Sequence, residues 1–210
     1  MGQKLNYLWR LCATAISFFS FGVGGLVLWL LVFPVLSVLP ASSSQRIRSG
    51  QKVVHYSFYI FIGLMHRLGV MSYEIIGLEK LNRAGQLIIA NHPTLVDIVF
   101  LISRIQQASC IVKAQLWHNP FTRRPIVNAG YISNGDPEQM ISDCVRCLQA
   151  GGTLIIFPEG TRSVPNQATH FQRGAAAIAL DAKLYEARRS YEPLRRRIHH
   201  SNKKIETESL

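Results

Sequence analysis

The chain has 210 residues, 48% of them apolar, with 23 basic residues against 12 acidic ones and a formal net charge of +11. That is enough apolar material for one core of ordinary size plus an anchor. The charge divides as +5 up to Lys52, +3 from Val53 to Leu180 and +3 beyond, with no basic stripe interleaved with aromatics in the middle portion. Such a spread suits an anionic membrane surface and excludes a nucleic-acid groove from the expected partners.

Residues 11–39 contain no charged side chain over 29 positions, well beyond the roughly 18 to 20 that mark a membrane helix. One straight helix of that length would run about 43 Å against a hydrocarbon core of about 30 Å, so it must tilt, extend into the interface or break. Gly22, Gly24, Gly25 and Pro34 offer places to break. Lys4 and Arg10 precede the stretch, Arg46, Arg48 and Lys52 follow it, and the first acidic residue is Glu74. A helical hairpin with both ends cytoplasmic fits these flanks somewhat better than a single span, and three positive residues against two put the rest of the chain on the cytoplasmic face. A signal peptide cleaved near Ala41 or Ser43 is the rival, but its apolar core would be twice the usual length. Residues 53–65, with Tyr56, Phe58, Tyr59 and Phe61, are too short to span and read as an interfacial or a core helix.

Beyond residue 70 the pattern alternates. Strand-like runs at residues 73–76, 87–90, 110–113, 126–132 and 153–157 interleave in part with helix-like stretches at 95–105, 137–150 and 173–182, which predicts an α/β domain over residues 71–182. The helix after Asp136 is the best delimited, with Asp136 as N-cap, Pro137 in the first turn, an apolar face of Ile141, Cys144, Val145 and Leu148, and Gly151 past its end. The four cysteines give no disulfide framework. Cys144 and Cys147 have C-x-x-C spacing, but Cys144 falls on the apolar helix face, and no second pair accompanies them.

Two segments carry chemistry. The first, Asn91-His92-Pro93-Thr94-Leu95-Val96-Asp97, follows the strand-like run at 87–90. Pro93 biases His92 toward extended backbone, and Thr94 is a good N-cap for the stretch that follows. On one continuous helix His92 and Asp97 would point roughly 140° apart, whereas a turn at Pro93 folds them together. A neutral imidazole with one nitrogen tied to a carboxylate presents the other as a base. The alternative is a capping turn in which Thr94 and Asp97 serve the helix and His92 is a polar turn residue. No G-x-S-x-G nucleophile elbow is present, so the hydroxyl to be deprotonated is the substrate's own. The second segment, Phe157-Pro158-Glu159-Gly160-Thr161-Arg162, ends another strand-like run. It places Thr161 and Arg162 at a strand C-terminus, where open α/β sheets bind ligands and where an arginine can hold a phosphate. Its alternative is an ordinary Pro-Glu-Gly turn with a solvated arginine.

Together the two segments, with Ser163 completing the second, resemble the paired motifs of the glycerolipid acyltransferases, lysophosphatidate-type members above all, over about residues 73–182. That resemblance implies an α/β fold with an acyltransferase-type mixed sheet flanked by helices, behind an N-terminal membrane-anchoring helix or hairpin spanning residues 1–70. It implies transfer of a fatty acyl group from an acyl-CoA or acyl carrier protein thioester, a co-substrate and not a cofactor, to the hydroxyl of a membrane lipid acceptor. His92 would be the general base and Asp97 its orienting carboxylate, with no covalent acyl-enzyme and no metal. Asn91, Glu159, Gly160, Thr161 and Arg162 match substrate-binding positions, and Lys113 and Arg173 stand where the family often has a basic residue.

The chain departs from that pattern twice. Asp136, at the end of Gly130-Tyr131-Ile132-Ser133-Asn134-Gly135, stands where the family's middle motif usually has an arginine for the acceptor phosphate. Arg123 and Arg124 are substitutes or solvated loop charges, and an acceptor without a phosphate is the alternative this raises. Residues 183–210, with a basic Arg195-Arg196-Arg197 run, then stand where the family continues into further strands. They read as a basic polar tail, disordered or loosely helical, in an active enzyme or in a shortened, inactive family member.

Overall fold

The computed structural model describes residues 2–81, 83–92, 94, 96–160 and 172–182. The expectations placed on Thr161, Arg162 and residues 183–210 lie outside them.

The uncharged N-terminal run does not fold back on itself at its glycines or at Pro34. It forms helix α1 (Gly2–Val27), a π-helical segment (Leu28–Val32) and helix α2 (Phe33–Val38), one after the other without a turn. Pro34 has no N–H to give and would clash in an unbroken α-helix, and the π-helical turn just before it absorbs the mismatch. The stretch from Lys4 to Val38 is long and apolar enough to cross a membrane. Helix α3 (Ser43–Arg67) follows after a short connection, opened by a capping box in which Ser42 and Gln45 exchange side-chain and backbone hydrogen bonds. It runs back along α1, since Trp9 Nε1 donates to the carbonyl of Leu68, Phe21 packs on Phe58 and Phe61, and Phe33 lies in one cluster with Val54. A hairpin therefore exists, but α3 is its second arm. Residues 53–65 lie inside α3, which contributes Val54 to the core and leaves Tyr56, Tyr59 and Ile60 exposed.

Four short strands, β1 (Leu87–Ile89), β2 (Ala108–Val112), β3 (Ile132–Ser133) and β4 (Thr153–Ile156), pair in the order β1-β4-β2-β3. Every pairing is parallel, with Ile88 opposite Ile155, Cys110 opposite Ile155 and Ile111 opposite Ile132, so the expected mixed sheet is a parallel one among the described residues. The helical crossovers between successive strands, α4 (Asp97–Ile102), α5 (Ala114–His118) with α6 (Pro120–Asn128), and α7 (Pro137–Gln149), account for the parallel sense. Helix α8 (Gly174–Asp181) packs beside α7.

Strand β4 is buried at every position, as a central parallel strand covered on both faces must be. Successive side chains alternate, so Ile155 joins Phe33, Val54, Ile102 and Ile126 on one face while Leu154 and Ile156 join Cys144, Leu148 and Ile178 on the other. Truncating the fully buried Leu154 or Ile155 to alanine should cost about 2 to 5 kcal/mol.

Two strand expectations fail. Residues 73–76 form no strand, and Tyr73 instead packs edge-on against Phe100 and accepts a hydrogen bond from Arg104. Most of 126–132 is helical or turn, and only Ile132 and Ser133 pair. Asn119 caps α6 through Phe121 N–H, Pro120 starts it, and its Ile126 and Asn128 face inward. Asn128 meets Gly50 of α3 so closely that a Cβ there would collide with the Asn128 carbonyl.

Candidate active site

The end of β1 is extended by one hydrogen bond, from Ala90 N–H to the Ile156 carbonyl, which holds the ends of β1 and β4 side by side. His92 follows the first strand and Glu159 the second. The His92 N–H points to Glu159 Oε2 at 3.4 Å, and the imidazole stacks on Phe157 with ring centroids 4.3 Å apart and planes 24° from parallel. The two motifs, more than sixty residues apart in sequence, thus meet at the C-terminal edge of adjacent parallel strands, the usual ligand edge of such sheets.

His92 Nδ1 lies 3.2 Å from Asp97 Oδ2, with the two side chains 21% and 23% exposed. The same carboxylate accepts the Thr94 N–H on Oδ2 at 2.6 Å and the Thr94 hydroxyl on Oδ1 at 2.7 Å. Thr94 is not the N-cap that its residue type predicts. Helix α4 starts at Asp97 with Val96 at the cap position, and the Thr94 hydroxyl accepts from Val96 N–H at 3.2 Å. Thr94 spends its hydroxyl on the carboxylate and the turn, so the capping turn and the imidazole–carboxylate pair are one structure. Asp97 is oriented by its own turn and in turn orients His92. With Nδ1 engaged, Nε2 is the nitrogen left for proton transfer.

Gly160 has a φ of +67°, and a Cβ there would run into the Gln172 side chain, so the turn after β4 requires glycine. Gln172 N–H closes it from the other side on the Pro158 carbonyl at 2.7 Å. Asn91 is exposed on the loop before His92. Lys113 is exposed at the end of β2, where it precedes α5, and Arg173 is exposed at the start of α8. Among the described residues neither pairs with His92 or Asp97. Sequence reasoning missed the stacking of Phe157 and the placement of Gln172. The first had a signal, since the residue just past a strand in a ligand-edge motif stands beside whatever follows the neighbouring strand.

Other groups with chemical potential are committed elsewhere. Burial pushes the Cys110 thiol up to about 12, and burial, then the neighbouring Cys147 and Asp143, pushes Cys144 to about 12 as well. Neither is a thiolate near neutral pH. Asp136 Oδ1 accepts the N–H groups of Glu138 and Gln139 at 3.0 and 3.2 Å, a side-chain cap of α7. Arg124 donates to the Trp29 carbonyl at 3.0 Å and lies over the Trp29 ring, which takes it out of the substitutes for a phosphate anchor.

A family model described as Acyltransferase matches residues 72–187. The 1-acyl-sn-glycerol-3-phosphate acyltransferase of Pseudomonas aeruginosa is 30% identical over 122 residues, covering 53% of this chain and 46% of that protein. The Saccharomyces cerevisiae protein of the same description is 30% identical over 137 residues, covering 60% of this chain and 44% of its own length. The chain therefore spans about half the length of the curated relatives it matches. In structure it resembles the crystal structure of the 1-acyl-sn-glycerophosphate (LPA) acyltransferase, PlsC, from Thermotoga maritima, with a TM-score of 0.58 at 19% identity, over 87% of this chain and 72% of that one. That likeness establishes the shared fold. By the family match over more than half its length, with both motifs inside the matched segment, the chain belongs to the acyltransferase family represented by the 1-acyl-sn-glycerol-3-phosphate acyltransferases.

Proposed function

We propose that the chain transfers a fatty acyl group from an acyl-CoA or acyl carrier protein thioester to the hydroxyl of a lysophospholipid such as lysophosphatidate. The observation that carries this reading is the His92–Asp97 pair, fixed by Thr94 at the strand edge where the second motif arrives. His92 Nε2 takes the proton of the acceptor hydroxyl as its oxygen attacks the thioester carbonyl carbon. The tetrahedral intermediate collapses with cleavage of the carbon–sulfur bond, and the imidazolium returns the proton to the departing thiolate. Asp97 stabilises the imidazolium between these steps, so no acyl-enzyme forms. Glu159 and Phe157 hold His92 in place, and Arg162 binds the acceptor's anion, with Asn91, Gly160, Thr161, Lys113 and Arg173 around the substrates.

The apolar helix from Lys4 to Val38 supports membrane association, and the basic flanks support a cytoplasmic catalytic face. Residues 1–70 are then the anchor and 71–182 the acyltransferase domain, joined through a core that includes Phe33 and Val54. The test is acyl transfer in isolated membranes supplied with acyl-CoA or acyl carrier protein thioesters and a panel of lysolipids. Absence of transfer to every acceptor sinks the reading.

A second reading, an acceptor without a phosphate, is favoured by Asp136, whose carboxylate caps α7 where the resemblance leads one to expect an arginine. Adding non-phosphate lipid alcohols to the same panel separates the two.

A further inference from the structure

The π-helical turn before Pro34 shifts the backbone hydrogen-bond register at the Trp29 carbonyl. Phe33 N–H donates to the Leu28 carbonyl, one residue further back than an α-helix allows. In that register the Trp29 carbonyl would accept from residue 34, which is proline and has no N–H. The protein supplies the missing donor from outside the helix, since Arg124 Nη1 donates to the Trp29 carbonyl at 3.0 Å. The guanidinium also lies 5.1 Å from the centre of the Trp29 ring, Trp29 Nε1 donates to the Pro120 carbonyl at 2.9 Å, and the Phe121 ring stands 5.3 Å from that of Trp29. Helix α6 is thereby clamped to the apolar helix at Trp29, yet none of the described residues covers its outer face. At about 100° per residue its exposed side chains follow around one sector as Arg123, Val127, Pro120, Arg124 and Phe121. Phe121 is 62% exposed and Val127 44%. No acidic residue occurs between Asp97 and Asp136, nor anywhere before Glu74, so the helix, its clamp and the hairpin beneath it present positive charge without a compensating carboxylate of their own.

We propose that α6 is a second membrane-docking element, which rests its Arg123–Val127–Phe121 face on an anionic phospholipid surface beside the apolar helix. Apolar side chains interleaved with arginines, continuous through Trp29 with a membrane-length helix, match the interface between acyl chains and anionic headgroups. Because α6 lies on the crossover between β2 and β3, its docking holds the domain against the lipid surface at a point separate from the anchor. Arg123 binds headgroup phosphates in this arrangement and not the reacting acceptor. This inference rests on the membrane reading above, and its test keeps the two apart.

The full chain carrying Cys12→Ser and Val127→Cys, labelled with bimane at residue 127, is reconstituted into phosphatidylcholine vesicles with and without phosphatidylglycerol, and flotation records binding. The expected result is emission shifted to the blue and quenched by lipids brominated on the chain, more strongly with phosphatidylglycerol present. Arg123→Glu in the same background should weaken docking about thirtyfold, from a two-unit charge change at about 1 kcal/mol per charge, while flotation is unchanged. Floating protein whose residue 127 stays accessible to aqueous iodide with both lipids overturns the inference and leaves the anchor standing. A blue shift without bromolipid quenching also overturns it, because a second copy or another protein then covers the face. Protein that fails to float overturns the anchor and this inference together.

Discussion

Two turns in this molecule lead from a strand into a helix through an aspartate, and they put the carboxylate to different uses. After β3, Asp136 accepts two N–H groups from the residues that follow it and so closes the start of α7. After β1, Asp97 accepts from a residue that precedes it, Thr94, through both backbone and hydroxyl, and Oδ2 also lies against the imidazole of His92. A carboxylate turned toward its own helix satisfies the orphan N–H groups and stabilises the fold locally. Turned back over the preceding loop, it fixes a side chain five positions earlier. The direction in which the donors lie separates a cap from an orienting group, and residue type alone does not.

The largest way to break this comparison is His92→Ala. It should lower acyl-transfer turnover by roughly a hundredfold or more, the loss expected of a general base, with the circular dichroism spectrum retained; near-normal turnover removes the proposed chemistry from the β1 turn. Asp97→Asn should cost about ten- to a hundredfold, since a charged partner is replaced by a neutral one that cannot stabilise an imidazolium, and steady-state kinetics on folded protein reads it. Thr94→Val removes the hydroxyl that holds Asp97 Oδ1 and should cost about tenfold in turnover while the KM values hold, a pattern that marks positioning and not substrate binding. Asp136→Ala sharpens the contrast from the other side. It should lower stability by about 1 kcal/mol in urea denaturation and leave turnover per folded molecule close to wild type. A loss of turnover as large as that of Asp97→Asn would erase the distinction between the two turns.

The smallest effect is a pH dependence away from both. Cys110, buried in the sheet, has its thiol raised from 9.0 to about 12 by desolvation. A group whose folded value is raised contributes its full stability below the unfolded value, and that contribution is lost as pH rises from about 9 toward about 12, because the unfolded chain sheds the proton first. Urea denaturation at about pH 8 and about pH 10 should therefore show wild type weakening by about 1 kcal/mol more than Cys110→Ala. Equal slopes would mean that Cys110 meets water in the folded protein.

Much of the sheet and the site could be read from residues in a row. The apolar runs at 87–90, 110–113 and 153–157 coincide with β1, β2 and β4 within two residues, because a short uncharged run between turn residues has few other ways to bury itself. The turn between His92 and Asp97 was legible for a similar reason, since the pair lies within six residues and Pro93 disfavours continuing a helix through it. Helix α6 overlaps the strand expected over residues 126–132, although its own signal is present in the sequence. Asn119 and Pro120 form an N-cap and first turn, but the β-branched Ile126 and Val127 before Gly130 and Tyr131 imitate a strand, and local pattern could not rank the two. Thr94 has the residue type of a cap, and only the donors around it in space showed that Asp97 claims its hydroxyl.

By itself the sequence determined the local chemistry: an uncharged helix long enough for a membrane, short buried strands, an imidazole and a carboxylate on one turn, and a proline that forbids a regular helix at residue 34. These follow from backbone sterics, hydrophobic periodicity and the reach of side chains over a few residues. The tertiary structure decided every pairing between distant segments. It set β4 between β1 and β2, brought Glu159 and Phe157 to His92, made α3 the second arm of the hairpin, and supplied Arg124 to the carbonyl that Pro34 leaves unserved. Such contacts are fixed by burial and by the need to satisfy each backbone group across the whole chain at once, and that condition has no signature in any one stretch of residues.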